Sequence, residues 1–201
     1  MAYCIVTSGE AGRDHLTIDA AELQALREEE QTAAAKEVGV SELHWLHHPD
    51  GAVEVTIGLR RDITAVIRRT RPDVIITQSP ERQLDRIFAS HPDHMAAGEA
   101  TLRAVYPDAR NPRAYPELLT EGLEPHTVTQ VWMSAHKEAD LHVDVTDTFD
   151  RKIAALRAHA SQTGHRDDLE DLLHGWQTMM AEAGGLPEGR LAEAFRIVVT
   201  G

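Results

Sequence analysis

The segment that most constrains the fold is Val74-Ile75-Ile76-Thr77, an unbroken apolar run that opens just after Arg71-Pro72. A run this short, rich in β-branched residues and without alternation, reads as a buried strand of a parallel sheet. Before it, Leu59, Ile63, Val66 and Ile67 recur at helical spacing. That helix must end near Arg71, because the residue ahead of a proline is pushed out of the helical region. A helix followed by a wholly apolar strand is the pattern of an α/β chain. In such sheets ligands collect at the carboxyl ends of the strands, and here the loop Gln78 to Ser90 leaves one of those ends and leads into His91.

The rest of the chain repeats the alternation. Tyr3 to Thr7 reads as a buried strand closed by the loop Ser8-Gly9-Glu10-Ala11-Gly12. Ala20 to Val38 is composed of helix formers and Gly39 stops it. Leu43 to Leu46 reads as a strand ended by Pro49-Asp50-Gly51, a strong turn signal. Tyr106 to Pro125, with four prolines and no periodicity, reads as a long surface loop. Val128 to Met133 and the alternating Leu141, Val143 and Val145 read as strands. Asp147 to His159 is predicted to be a helix with Phe149, Ile153 and Leu156 inward. A further helix, Asp168 to Glu182, has Leu169, Leu172, Leu173 and Trp176 on one side, and Ala192 to Val199 closes the chain. At 201 residues the length fits one domain over 1–201.

Charge and cysteine usage narrow the function. A net charge of −13 argues against nucleic-acid partners, whose phosphates call for concentrated Lys and Arg. No apolar run approaches the roughly 20 residues that span a bilayer, so no membrane partner is expected. Cys4 is the single cysteine, which leaves no disulfide framework and makes the cytoplasm the default compartment. Cys4 itself, inside an apolar run, reads as inert packing. Small molecules fit best as partners, and a homo-oligomer is open.

His91-Pro92-Asp93-His94 carries the most chemical information. Proline suits the first helical position, which makes His91 the N-cap and puts Asp93 and His94 in the first turn. The positive end of the helix dipole favours Asp93 and disfavours a protonated His94, and a neutral imidazole is what a divalent metal takes as ligand. Three apart, the two histidines can face one cleft; the same pattern also fits a capped helix bearing surface histidines. His47 and His48 read as part of a solvated turn, while Asp50, at a strand end, can meet a ligand. Arg27 and Glu30, at i and i+3 of one helix, can touch, and an ion pair is the expected role of Glu30. Arg27 then has donors left for a substrate hydroxyl or phosphate.

Taken in order, several segments resemble the PIG-L, or LmbE-like, family of N-acetylglucosaminyl deacetylases. They are Thr7-Ser8-Gly9-Glu10-Ala11-Gly12, then Arg27 and Glu30 with Ala33-Ala34 and Gly39-Val40, then Pro49-Asp50-Gly51 and Arg71-Pro72-Asp73-Val74. His91-Pro92-Asp93-His94 with Gly98, Lys152 with Ala154-Ala155-Leu156, Ala158-His159-Ala160-Ser161-Gln162 and Ala192-Glu193-Ala194-Phe195-Arg196 complete the match. The resemblance implies a Rossmann-like three-layer α/β fold with a mostly parallel sheet and one zinc ion (Zn2+) at the strand ends. It implies removal of acetate from an N-acetylated amino sugar of the N-acetylglucosamine type. By the same resemblance His94 is a metal ligand, and His91 stabilises the oxyanion and protonates the leaving amine. Asp93 orients that pair, and Arg27 and Asp50 contact substrate.

One departure stands beside these matches. The family opens with a strand and a His-Pro-Asp-Asp segment that supplies the other zinc ligands and the general base; this sequence does not contain it, so the first strand of the family fold is expected to be missing. Two readings follow: a zinc-dependent N-deacetylase, or a non-catalytic sugar-binding relative.

Overall fold

The computed structural model describes residues 1–12 and 18–201. Among these, the helices are α1 (Ala20–Glu37), α2 (Ile57–Thr70), α3 (Pro92–Arg103), α4 (Pro116–Thr120), α5 (Phe149–Ala158), α6 (Ala160–Thr163) and α7 (Leu169–Ala183). The strands are β1 (Ala2–Ile5), β2 (Glu42–Trp45), β3 (Val74–Gln78), β4 (Gln130–Ser134), β5 (Leu141–Asp144) and β6 (Ala192–Val199). The α/β class and nearly every element read from the sequence are present. The chain groups into two compact units, Met1–His47 with Leu141–Ala194, and His48–Asp140 with Phe195–Gly201.

In the first unit β1 and β2 pair in parallel, Tyr3 opposite Leu43 and Ile5 opposite Trp45. The helix α1 starts where Asp19 accepts the N–H of Glu22 at 2.8 Å, a side-chain cap that satisfies one of the helix's free amides. It packs along α5, burying Leu23, Ala34 and Ala35, and Arg151 of α5 donates to the Glu37 carbonyl at its far end (3.1 Å). Cys4 is exposed in β1, which corrects the expectation of inert packing. On α7 the buried residues are Leu169, Gln177 and Ala181, while Leu172 and Trp176 stay 48% and 41% exposed. The inward stripe is therefore rotated from the one the leucines suggested.

In the second unit β3 pairs in parallel with β4, and β4 pairs antiparallel with the last residues of β6. Residues opposite one another share a face. Ile75, Val131 and Val198 lie on one face, with Val131 fully buried. Val74, Ile76 and Val199 point from the other and are 38%, 57% and 71% exposed, so β3 is partly covered on one side and open on the other, which corrects the expectation of a buried strand. The helix α2 fits its reading: Thr56 caps it through Leu59 N–H at 3.1 Å, and Arg71 ends it in the left-handed region at φ 48°.

The stretch from Tyr106 to Pro125 is not a simple surface loop. The Arg68 guanidinium, itself 2% exposed, donates to the carbonyls of Ala109, Asp108, Asn111 and Ala114 at 2.8–3.2 Å. Arg60 forks onto the Asp108 carboxylate at 2.8 and 3.0 Å, and Tyr115 donates to it at 3.2 Å. These bonds fold the segment inward, and Leu118 of α4 is fully buried. Among the described residues no helix is long and apolar enough to cross a membrane.

Candidate active site

The site grows from the start of α3. His91 is the N-cap, Pro92 occupies the first helical position, and the His91 ring accepts the N–H of Asp93 through Nδ1 at 3.3 Å. A ring that accepts at Nδ1 carries its proton on Nε2 when neutral, so His91 presents an N–H donor outward. His91 and His94 are both exposed, with ring centroids 5.2 Å apart at 48°. The i, i+3 spacing thus brings the two rings beside each other at the start of α3.

Asp93 is the buried member, 6% exposed. Its Oδ2 accepts the N–H of Gly51 at 2.7 Å and its Oδ1 that of Val53 at 3.3 Å. The carboxylate thus fastens the turn that carries Asp50 onto α3, and Gly51 takes the φ of 80° that the turn requires. Asp93 is a positioning residue for the 50–53 turn.

His94 is held below the ordinary histidine pKa. The protein packed around the inner part of its ring is the main cause, although its outer edge is in solvent; the neighbouring His91 adds to it, while Asp93 and Asp50 oppose it. Asp50 is therefore within electrostatic reach of His94. Behind the pair, α3 approaches β3 so closely at Gly98 that a Cβ there would run into the Gln78 carbonyl oxygen. At the carboxyl ends of β3 and β4 lies a pair that sequence reading did not single out. His136 has a side chain only 6% exposed, lies 3.3 Å from Glu81 and accepts the Glu138 N–H through Nδ1 at 3.0 Å. Their place after consecutive parallel strands is the signal that could have found them.

The second unit therefore brings together His91, Asp93, His94 and Asp50. Arg27 lies in the first unit, its guanidinium filling the space above Gly9 and Gly12, with Nε lacking a partner among the described residues. Glu30 does not need Arg27: its carboxylate accepts the N–H and the hydroxyl of Ser161 at 2.6 and 2.7 Å. That corrects the expected ion pair and gives the His159-Ala160-Ser161 segment a structural anchor. His47 and His48 are also more than a solvated turn, because His47 lies 3.4 Å from Glu28 and His48 3.1 Å from Asp62. A cavity of about 460 Å³ in the first unit, bordered by Tyr3, Phe149, Lys152, Leu156, His159 and Glu193, includes none of the His91–His94 residues.

A catalytic zinc takes three protein ligands and keeps one position for water. Among the described residues no three His, Cys, Asp or Glu side chains gather as a metal site. The described residues thus fall short of a full zinc ligand set.

The family model for PIG-L, described as GlcNAc-PI de-N-acetylase, matches residues 1–105. The chain belongs to this family. Its first 105 residues include β1 through α3, and with them the His-Pro-Asp-His segment. A diacetylchitobiose deacetylase of Thermococcus kodakarensis is 29% identical over 98% of the chain and 72% of its own length. A probable N-acetyl-alpha-D-glucosaminyl L-malate deacetylase 2 of Bacillus subtilis is 31% identical over 90% of the chain and 79% of its own length. Among solved structures, the N,N'-diacetylchitobiose deacetylase of Pyrococcus horikoshii superposes with a TM-score of 0.86 at 27% identity, over 98% of this chain and 72% of that one. These PIG-L relatives are N-deacetylases, which favours a hydrolase over the non-catalytic alternative.

Proposed function

We propose that this chain hydrolyses the acetamide of an N-acetylated amino sugar, in a small conjugate of the N-acetylglucosamine type, and that it acts as one deacetylase domain. The observation that carries the reading is the pairing of His91 with His94 at the start of α3, with the Asp50 turn fastened alongside by Asp93. Hydrolysis of an amide develops negative charge on the carbonyl oxygen and then needs a proton on the departing nitrogen. The Nε2–H of His91 meets the first demand as a hydrogen-bond donor; the second is met from the imidazolium form of the ring, which gives its Nε2 proton to the nitrogen and returns to neutral. Asp50, a carboxylate at the strand end, accepts hydrogen bonds from sugar hydroxyls. The small polar substrate suits an acidic surface without nucleic-acid partners.

The cofactor by family kinship is a divalent metal, zinc in our reading, with His94 as one ligand; the lowered pKa favours the neutral imidazole that a metal takes as ligand. The cytoplasm is the proposed compartment, resting on the single cysteine. The experiment is a stopped assay for free primary amine and acetate from N-acetylglucosamine conjugates, with His91→Ala as the paired control. Amine release that disappears in the variant supports the reading, and equal rates in both would remove His91 from it.

A further inference from the structure

The polypeptide that delivers His91 to the start of α3 is not held by packing. Leu84–Ala89 make two short helical turns broken at Arg86 (φ −139°), and none of these residues is buried. A segment with so few apolar contacts keeps its shape through hydrogen bonds and loosens when one of them goes. Its bonds converge on two residues, Gln83 before the turns and Ser90 after them.

Gln83 is tied to the end of β4, where its side-chain amide donates to the Ala135 carbonyl. Its backbone N–H donates to the Ser90 hydroxyl at 2.7 Å, and the same hydroxyl lies 3.5 Å from the Gln83 carbonyl oxygen. The Ser90 N–H donates to the Ile87 carbonyl at 2.9 Å. Ser90 is 3% exposed, so a Gln83 amide deprived of that oxygen is not simply handed to solvent. The next residue is His91, and its ring reaches the Asp93 N–H only at 3.3 Å, a long bond for a backbone donor. Such a bond survives only while the backbone at 90 and 91 keeps its place. A displaced ring frees Nδ1, and the proton is then no longer confined to Nε2.

We propose that Ser90 is a positioning residue for His91. By accepting the Gln83 amide, its hydroxyl ties the entry to α3 to the end of β4, and so keeps the His91 ring on the Asp93 amide with Nε2–H outward. Ser90 is enclosed and acts through His91. The inference rests on the reading of His91 as donor to the acetamide and adds the group that aims it. A displacement of about 1 Å at a reacting group is enough to cost about 10²-fold in rate, which is why a hydroxyl behind the ring matters to turnover.

The test compares the 201-residue chain with Ser90→Ala and Ser90→Cys. Cys keeps the bulk of the side chain, but its sulfur is a weak acceptor, so it separates the hydrogen bond from the packing. The readouts are the nitrogen NMR shifts of the His91 ring in its neutral form, and kcat and KM for amine release from an N-acetylglucosamine conjugate. In both variants the His91 nitrogens should move towards the tautomer mixture of a free histidine. His126, whose Nε2–H is held by the Pro72 carbonyl at 2.8 Å, should keep its signal and so report an intact fold. The expected kinetic effect is a kcat lower by about tenfold or more, with KM within about twofold. A His91 tautomer unchanged in Ser90→Ala would overturn the inference. So would Ser90→Cys behaving like wild type, which would reduce Ser90 to packing, or a loss confined to KM. Should Ser90→Ala lose the His126 signal, Ser90→Cys decides alone. A His91 ring loosened in both variants, with no amine release by any of the three chains, would leave this inference standing while the hydrolase reading fails.

Discussion

Asp93 Oδ2 accepts the backbone N–H of Gly51 at 2.7 Å, so a carboxylate in the first turn of α3 holds the turn that carries Asp50. The contact joins residues 42 apart in sequence, and it is buried at the Asp93 end. Replacing Asp93 with Ala strands the amides of Gly51 and Val53, and the loss of such bonds costs about 1–3 kcal/mol. Asp93→Asn keeps an acceptor for one of them. The expected order of stability in urea unfolding is wild type, then Asn, then Ala, with activity falling in the same order.

His91 has two duties that a pair of variants separates. As N-cap it satisfies the Asp93 amide, and as donor it faces outward through Nε2. Asn is among the best N-cap residues, so His91→Asn should keep the helix start and leave the thermal midpoint within a few degrees. Turnover should nonetheless fall by about 10²–10⁴, the ordinary contribution of a general acid, with KM little changed.

Gly98→Ala tests how α3 is placed. The added methyl would meet the Gln78 carbonyl, so helix and strand must separate. The expected cost is about 1–3 kcal/mol, together with a loss of activity that exceeds it because His91 and His94 move with the helix. A variant as stable and as active as wild type would show that the close approach is dispensable.

The start of α3 was more legible than its supports. His91, Asp93 and His94 announce themselves because proline marks the helix start and spacing fixes the faces. What Asp93 binds was not legible, since its acceptor duties lie with backbone amides 40 and 42 residues away. Glu30 was misjudged for the same reason: a partner at i+3 is visible in sequence, and Ser161 at a separation of 131 is not. The Tyr106–Pro125 stretch looked structureless because its order comes from Arg68 and Arg60, on another helix, and from carbonyls that no composition reveals. Val74 and Ile76 read as buried because an apolar run does not say whether one face of a strand or two is covered.

His159 should impart a pH dependence to stability. Burial holds its pKa below the ordinary 6.5; Glu30 opposes this and Arg27 reinforces it. The folded state therefore favours the neutral ring, and the unfolded chain binds the proton more readily. The contribution is fully present above pH 6.5 and is lost as pH falls from there through the folded pKa. In His159→Gln the decline in thermal midpoint between pH 7.5 and 5.5 should be smaller than in wild type. An unchanged decline would assign that pH window to other groups.

The most direct measurement is the release of free amine from an N-acetylglucosamine conjugate by the purified 201-residue chain supplied with zinc, run beside His91→Asn. The expected result is steady release by the wild type and release lower by about 10² or more in the folded variant. No release by a folded, zinc-supplied wild type, or equal release by the variant, would contradict the assignment of this site to N-deacetylation through His91.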